Sequence, residues 1–128
     1  MSNVDLFGKC PYVTVQKLLS GKWSIYILYL LSNKAVRFNE LLRLMPEEMT
    51  HTTLSRQLKL LEQEKLIIRK EYKQIPPKVE YKLSSIGENF MPVLQALENW
   101  GNEYISFLSS GTIDSTSCDS KQSESGEE

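Results

Sequence analysis

The strongest constraint on this 128-residue chain lies in residues 37–83, where a proline-containing turn separates two helical patterns. Over residues 38–45 the apolar side chains recur on one helical face, and Pro46 then disfavours continuation of the helix. A second helix is predicted over residues 50–64, because the Thr50 hydroxyl can accept a hydrogen bond from a free amide of its first turn. We therefore expect two helices joined by a short turn.

The pattern changes directly after the second helix. Side chains alternate with a period of two over residues 67–72 and again over residues 79–83, which is typical of β-strands. These strands are expected to pair, and the loop between them, which contains Ile75-Pro76-Pro77, forms a wing. The predicted fold class is α+β, mainly α: a winged helix-turn-helix with a two-stranded wing and terminal dimerisation helices.

Further helices are predicted on both sides of this segment. Residues 13–19 and 23–31 form two helices broken at Ser20-Gly21, and the second is apolar enough to be the centre of the core. Ser84 can cap a last long helix, which Pro92 should kink near its start. That helix carries a broad apolar stripe made of Phe90, Val93, Leu94, Leu97, Trp100, Tyr104 and Leu108.

Charge is distributed unevenly along the chain. The formal net charge is −1, yet residues 1–108 hold 14 basic and 11 acidic groups, whereas residues 109–128 hold one basic and five acidic groups. The last segment contains seven serines and no aromatic residue, so it cannot bury enough apolar surface to offset the entropy of ordering. We expect one folded DNA-binding and dimerisation domain over residues 1–108 and a disordered acidic tail over residues 109–128.

Composition and motifs disfavour several classes of protein. No basic start followed by a long apolar run is visible, and no stretch reaches the roughly 18–20 apolar residues that a membrane span needs. We therefore expect a cytoplasmic protein without a membrane partner. Two cysteines and one histidine offer no metal-ligand spacing. Without a phosphate-cradling glycine loop or a nucleophile motif, neither an enzyme nor a cofactor is expected.

The helix over residues 50–64 presents two faces of different chemistry. Leu54, Leu58 and Leu61 should face inward, while short polar and long basic side chains project outward. Such side chains match the base edges of the DNA major groove, where Arg56 can form two hydrogen bonds with guanine. The candidate DNA-binding residues of this recognition helix are Thr50, His51, Thr52, Thr53, Ser55, Arg56 and Lys59. The alternative is an ordinary solvent-exposed face, on which His51 would be a plain surface residue.

The wing supplies a second set of candidate contacts. Basic side chains flank the loop that contains Pro76-Pro77, and we expect them to contact phosphates or the minor groove. The candidate residues of the wing and of backbone contact are Arg37, Arg69, Lys73 and Lys78. The alternative is a solvated hairpin whose charges only discourage edge-to-edge aggregation.

The apolar stripe of the last helix is wide for a domain of this size. It could be core, but the other helices already supply one, so we expect the terminal helices to pair two copies of the chain. The candidate residues of this dimer interface are Val13, Leu18, Leu94, Leu97, Trp100, Tyr104 and Leu108. A homodimer would place two recognition helices on the half-sites of an operator.

Cys10 precedes Pro11 and the first predicted helix. Amides at the helix end, or Lys9, could favour the reactive thiolate, and the alternative is an inert half-buried thiol. Cys118 lies in the predicted tail and could reach many partners, among them Cys10 of a second subunit.

The order and spacing of the motifs resemble the HxlR family of bacterial transcription regulators, relatives of MarR. The resemblance covers about residues 10–101 and rests on Cys10-Pro11, Gly21-Lys22-Trp23, Arg37-Phe38-Asn39-Glu40-Leu41, residues 54–61, Pro77-Lys78-Val79-Glu80-Tyr81, Gly87, Pro92 and Trp100-Gly101. It implies a homodimeric winged-helix repressor or activator that reads a palindromic operator of double-stranded DNA. Several relatives sense electrophiles or oxidants through the cysteine before this proline, so the resemblance makes Cys10 a candidate redox sensor.

The chain departs from the pattern of the family in three places. Lys65 stands where glycine is usual after the recognition helix, and Glu47-Glu48 stand in a turn where a single glycine is common. Both bear on the tilt of the recognition helix. Leu60 occupies a usually polar position, so that it either packs against a neighbouring element or adds exposed apolar surface.

The predicted function is sequence-specific DNA binding by a transcription regulator, a homodimeric repressor that senses electrophiles or oxidants through Cys10. Two alternatives stay open: a winged helix used only for protein binding, since a fold alone does not prove DNA contact, and a DNA-binding regulator without a thiol switch. Replacing Arg56 and Lys59 by alanine distinguishes DNA binding from the first alternative. Cys10→Ser distinguishes a thiol switch from the second.

Overall fold

The computed structural model of the protein describes residues 5–111. Its helices and strands follow in the order α1 (Pro11–Leu18), α2 (Ser24–Leu30), β1 (Val36–Arg37), α3 (Phe38–Leu44), α4 (His51–Gln63), β2 (Ile67–Tyr72), β3 (Lys78–Leu83), α5 (Ser85–Glu88) and α6 (Met91–Gly111). The chain divides into two compact units between Met91 and Pro92. No helix in this part of the chain is both long and apolar enough to span a membrane.

Side chains from α2, α3, α4 and the sheet form the core of the first unit. Ile27 and Leu28 are at most 1% exposed, which confirms that the second helix lies at the centre of the core. Ile25 lies on the other side of α2 and is 44% exposed. Full burial of each such side chain contributes roughly 1.5–3 kcal/mol. The largest fully buried side chains are Ile27, Leu28, Leu31, Leu41, Leu54, Leu58 and Leu61.

Helices α3 and α4 form the helix-turn-helix where the sequence predicts it. The backbone leaves the helical conformation at Met45, which has an extended ψ of 163° and precedes Pro46. Thr50 is the N-cap of α4, and its hydroxyl accepts a hydrogen bond from the Thr53 amide over 3.0 Å. Both ends of the turn are therefore fixed by the local signals that predicted them.

Helix α4 ends in a left-handed turn at Lys65, where φ is +67°. The Lys65 amide donates to the carbonyl of Glu62 over 2.9 Å, and the Leu66 amide donates to the carbonyl of Leu61 over 3.0 Å. This bond pair is the Schellman motif, in which glycine is the preferred residue at the left-handed position. Lys65 therefore adopts the conformation for which glycine is the usual residue.

Strands β2 and β3 pair antiparallel and form the predicted wing, with Tyr72 opposite Lys78 and Ile67 opposite Leu83. The sheet nevertheless has three strands in the order β1-β3-β2, because Val36 and Arg37 pair with the other edge of β3. The two-stranded wing was thus an incomplete description of the sheet. A strand of two residues is too short for its side-chain alternation to be visible in the sequence.

The last predicted helix is two helices. Ser84 caps only the short α5, and Asn89 and Phe90 separate it from α6, which begins at Met91. The predicted kink at Pro92 is therefore wrong: proline lacks an amide donor and is best accommodated in the first turn, where Pro92 lies. Phe90, predicted on the helical stripe, lies in the connection.

Two boundaries also shift at the chain ends. Helix α1 begins at Pro11, two residues earlier than predicted, with the proline in its first turn. Helix α6 continues to Gly111, so that residues 109–111 are helical where the tail was expected to begin. The rest of the predicted tail, with Cys118, lies outside the described residues.

Ser84 and Gly87 join the end of the wing to the turn after α4. The Ser84 hydroxyl donates to the carbonyl of Lys65 over 2.6 Å and accepts from the Gly87 amide over 3.1 Å. A Cβ atom on Gly87 would overlap the carbonyl oxygen of Leu66. Glycine is therefore required by close packing at this position, which holds the wing against the base of the recognition helix.

Candidate nucleic-acid interface

The outer face of α4 carries the side chains that the sequence assigned to DNA. Thr52, Arg56 and Lys59 are exposed, while the leucines on the opposite face are buried. Neither Arg56 nor Lys59 forms an ion pair with another residue of the described chain. Both charges are thus available to an anionic partner. Leu60 is 45% exposed, which settles that it adds apolar surface to this helix.

Two of the predicted contacts are occupied by the helix itself. The Thr50 hydroxyl donates to Oγ1 of Thr53 over 2.9 Å while it accepts from the Thr53 amide. The Thr50 hydroxyl therefore serves the start of α4, whereas the Thr53 hydroxyl only accepts here. His51 is exposed, and its ring lies 4.5 Å, centre to centre, from the ring of Phe38, so that α3 and α4 meet there through an aromatic contact.

A cleft of about 420 Å³ lies between the starts of α3 and α4 and the wing. Five predicted residues line it, from both the recognition helix and the sheet: Arg37, His51, Ser55, Arg69 and Lys78. The lining residues that were not predicted to contact DNA are Phe38, Asn39, Gln74, Pro76, Pro77, Val79 and Tyr81. The remaining predicted residues lie outside the lining: Thr50, Thr52, Thr53, Arg56, Lys59 and Lys73.

The missed residues come from three separate parts of the chain, which only the fold brings together. Asn39 and Gln74 carry amides that can donate to phosphates or bases. Asn39 was visible in the motif that follows Arg37, and this is the signal that could have found it. Nothing in the sequence near Gln74 distinguishes it from an ordinary loop residue.

Arg69 is held in place on the wall of the cleft. It lies opposite Tyr81 in the sheet and also pairs with Glu71, with Nη1 and Oε1 separated by 3.5 Å. A hydrogen bond with Tyr81 is the main reason that the pKa of Arg69 is raised, and the nearby Glu71 carboxylate adds to it. The guanidinium is therefore a fixed positive charge beside the cleft. Arg37 is exposed directly before α3 and forms no ion pair within the described chain.

The two lysines of the wing differ in their surroundings. Lys73 is exposed in the loop without an acidic partner among the described residues. Lys78 lies 3.5 Å from Oε2 of Glu80 and 4.2 Å from the centre of the Tyr72 ring. The Tyr72 hydroxyl donates to Glu80 over 3.0 Å, and this bond to a carboxylate raises the pKa of Tyr72. Lys78 is thus already neutralised by a neighbour, whereas Lys73 is not.

The residues predicted for dimerisation lie on α1 and α6. Val13, Leu18 and Leu94 are half-buried, and the other four, Leu97, Trp100, Tyr104 and Leu108, are between 38 and 62% exposed. Along α6, Tyr104 stacks on Trp100 at 5.5 Å and contacts Phe107 at 5.6 Å. Phe107 and Ile105 are exposed apolar residues that the predicted set omitted. The helix thus carries an apolar surface around much of its circumference.

Cys10 occupies the N-cap position of α1 as a free, half-buried thiol. Its amide donates to the carbonyl of Leu6 over 2.8 Å, and its carbonyl accepts from the Thr14 amide over 2.9 Å. The sulfur makes no capping hydrogen bond to the helix. The backbone at Cys10 is therefore fixed, while the thiol is not committed to the cap.

Sequence comparison with known proteins agrees with this fold. The model of the HxlR-like helix-turn-helix family matches residues 18–108. YdeP of Bacillus subtilis (strain 168), an uncharacterised HTH-type transcriptional regulator, is 41% identical over 100 residues, which cover 78% of this chain and 77% of YdeP.

Solved structures of other regulators are also similar to this chain. The redox regulator HypR in its reduced form has a TM-score of 0.73 and 33% identity, over 79% of this chain and 99% of that one. The reduced form of the transcriptional regulator YodB from B. subtilis has a TM-score of 0.64 and 28% identity, over 74% and 93% of the two chains. HypR has also been solved in an oxidised form, and YodB after treatment with diamide.

The predicted winged helix-turn-helix and the predicted family are both confirmed. The family match covers most of the chain, and YdeP exceeds 40% identity over three quarters of it. This chain therefore belongs to the HxlR-like helix-turn-helix family and is a transcriptional regulator.

Proposed function

We propose that this regulator is a homodimeric repressor that binds a palindromic operator in duplex DNA. In each subunit α4 enters the major groove, and the cleft between α4 and the wing receives the DNA backbone. The convergence of Arg37 and Arg69 with His51 and Ser55 of α4 on one cleft is the observation that carries this proposal. It brings phosphate-binding cations to the N-terminal half of the recognition helix, and contacts to phosphates fix the position from which a helix can read bases.

Arg56 is the residue proposed to read bases directly. It is exposed, unpaired within the described chain, and lies near the middle of α4. A guanidinium that bonds guanine through two donors contributes about 1–3 kcal/mol of discrimination against other bases. Lys59 lies almost one turn further along the same face and is proposed to bind a phosphate. Its loss should weaken binding to all sequences alike.

The test is fluorescence anisotropy with the DNA upstream of the regulator's own gene and with a scrambled duplex of equal length. Arg56→Ala should lower affinity for the specific duplex roughly ten- to a hundredfold and leave affinity for scrambled DNA much closer to wild type. Lys17→Ala is the matched control, because Lys17 is an exposed basic residue on α1 that pairs with Asp5. If Arg56→Ala binds the specific duplex as tightly as wild type and Lys17→Ala do, the role proposed for Arg56 is refuted. If wild type binds neither duplex, the result favours a winged helix that binds only proteins.

The dimer is proposed from the apolar surface of α6. Single chains that expose several aromatic and aliphatic side chains along one helix commonly bury them against another subunit. Leu97→Arg places a charge within this stripe and should convert a dimer into monomers in analytical ultracentrifugation. Asn102→Arg adds the same charge at a polar exposed position of α6 and should leave the dimer intact. A wild-type protein that sediments as a monomer at micromolar concentration would refute the dimer.

Redox sensing through Cys10 is the second part of the proposal. The support comes from the free thiol at the start of α1 and from similarity to HypR and YodB, which are known in oxidised or diamide-treated forms. A quinone would alkylate the thiolate, and diamide would couple two thiols as a disulfide while its azo group takes up their two hydrogens. We propose that either change releases the operator.

The test adds quinone or diamide to the complex of protein and specific duplex. Release from wild type, with retention by Cys10→Ser, would support the sensor. Cys118→Ser is the companion variant: if it alone abolishes the response to diamide but not to quinone, the disulfide joins Cys10 to Cys118. Equal release from wild type and Cys10→Ser would remove the thiol switch and leave a DNA-binding regulator controlled in another way.

A further inference from the structure

Four side chains on one face of the wing form a connected set: Lys70, Tyr72, Lys78 and Glu80, here called the Glu80 cluster. Glu80 uses both carboxylate oxygens, since Oε1 accepts from Tyr72 over 3.0 Å and Oε2 lies 3.5 Å from the Lys78 ammonium. The Tyr72 ring lies 4.2 Å from the Lys78 ammonium and 5.1 Å from the Lys70 ammonium. Strand pairing places Tyr72 opposite Lys78 and Lys70 opposite Glu80, so that the cluster follows from the register of the hairpin.

Glu80 changes what Lys78 can offer to DNA. The side chains of both residues are only 22% exposed, which marks this as the least exposed ion pair in the described chain. A phosphate that approaches Lys78 also meets the Glu80 carboxylate, because charges interact over a Debye length of about 8–10 Å at physiological salt. The pair therefore acts on a phosphate as a dipole and not as a free cation. Lys73, which has no acidic partner among residues 5–111, offers a phosphate an uncompensated charge.

We propose that Glu80 restrains the affinity of the wing for the DNA backbone by holding the Lys78 ammonium against Tyr72. The inference rests on the proposed DNA-binding function and goes beyond it by assigning an acidic residue of the wing a positioning role. Affinity that does not depend on sequence comes from neutralising phosphates and releasing their counterions. A regulator that must find one operator among many competing sites benefits from a lower value of that affinity.

The decisive variant is Glu80→Gln, which removes the charge and keeps the shape. The amide oxygen of glutamine can still accept from Tyr72, so the hairpin should persist. The freed Lys78 can then displace a counterion, which should steepen the plot of log binding constant against log salt by about 0.9 for each wing. Affinity for a scrambled duplex at low salt should rise about three- to tenfold.

Three further variants separate charge, position and fold. Glu64→Gln removes one acidic charge at the end of α4 that pairs with no lysine among residues 5–111, and it should leave the salt slope unchanged. Glu80→Asp keeps the charge and should bind like wild type. Lys78→Met in the Glu80→Gln background should abolish the gain, since the gain is expected to act through Lys78. Urea unfolding of each protein at one protomer concentration verifies that the hairpin is retained.

Each outcome of these binding measurements either supports or overturns the role of Glu80. Tighter binding of scrambled DNA by Glu80→Gln, with a steeper salt slope that Lys78→Met removes, would support the restraint. Unchanged or weaker binding by a folded Glu80→Gln protein would overturn it and leave Glu80 as a residue that only shapes the hairpin. If the wild-type protein binds no duplex at any salt concentration, the proposed function fails and this inference fails with it.

Discussion

Glycine at position 65 is expected to give a higher free energy of unfolding than alanine at the same position. Lys65 closes the Schellman turn after α4 with φ of +67°, in the left-handed region that a side chain with a Cβ atom occupies only at a cost. Its own side chain is exposed and forms no ion pair within residues 5–111. The backbone conformation is therefore the main thing that the substitution changes.

The expected difference in the free energy of unfolding follows from two opposing effects. The left-handed conformation costs a residue with a Cβ atom about 1–2 kcal/mol, and glycine relieves it. Glycine in turn loses about 0.5–1 kcal/mol more chain entropy on folding than alanine does. With the middle of each range, Lys65→Gly should be more stable than Lys65→Ala by about 0.75 kcal/mol. Alanine is the correct reference, because both variants lose the favourable lysine charge near the C-terminus of α4.

Urea denaturation of wild type, Lys65→Gly and Lys65→Ala at one protomer concentration measures this difference. With unchanged dependence on urea, the midpoint of the glycine variant should exceed that of the alanine variant. Thermal unfolding should show a gap of about 2–6 °C in the same direction. If the alanine variant equals or exceeds the glycine variant in stability, the left-handed strain assigned to Lys65 is refuted.

Other substitutions test how the turns around α4 are held. Gly87→Ala should cost about 1–3 kcal/mol in urea unfolding, because the new methyl group would overlap the backbone carbonyl of Leu66, which cannot move alone. Gly21→Ala should cost less, since the new atom would meet side chains, the Gln57 amide and the Ser24 hydroxyl, and not backbone; an equal cost would show that these side chains are fixed. Thr50→Ala should cost about 1 kcal/mol by the same measurement, and Thr50→Ser should restore most of it because serine caps equally well.

Signals that act within one helical turn account for the parts of the fold that the sequence predicted. Pro46 ends α3 through its own ring and missing amide, and Thr50 begins α4 through one hydrogen bond to Thr53. Both effects depend on neighbours a few residues away, so they can be read without tertiary structure. The Schellman turn at Lys65 is equally local, yet it lacks the glycine that would have predicted it.

The parts that the sequence did not predict depend on contacts between distant segments. β1 exists because Val36 pairs with Tyr81, far along the chain, and two residues alone have no strand signal. The cleft likewise combines Asn39 with Gln74, which no spacing rule connects. Pro92 was read as a kink because one helix was assumed to run through it, whereas the chain uses the proline to start a new helix.

The charges of the wing could be predicted from the sequence, but their pairing could be predicted only in part. Alternation along β3 was enough to place Lys78 and Glu80 on one face, so their pairing was within reach of the sequence. The position of Tyr72 over the same ammonium was not, because it depends on the register that the loop between the strands imposes. Counting lysines therefore overestimates the charge that this wing offers to phosphates.

Lys73 and Lys78 look alike in the sequence, but only Lys73 is free of an acidic neighbour in the described chain. Lys73→Ala should accordingly lower the salt dependence of DNA binding more than Lys78→Ala does, and the reverse order would show that the ion pair opens when DNA binds.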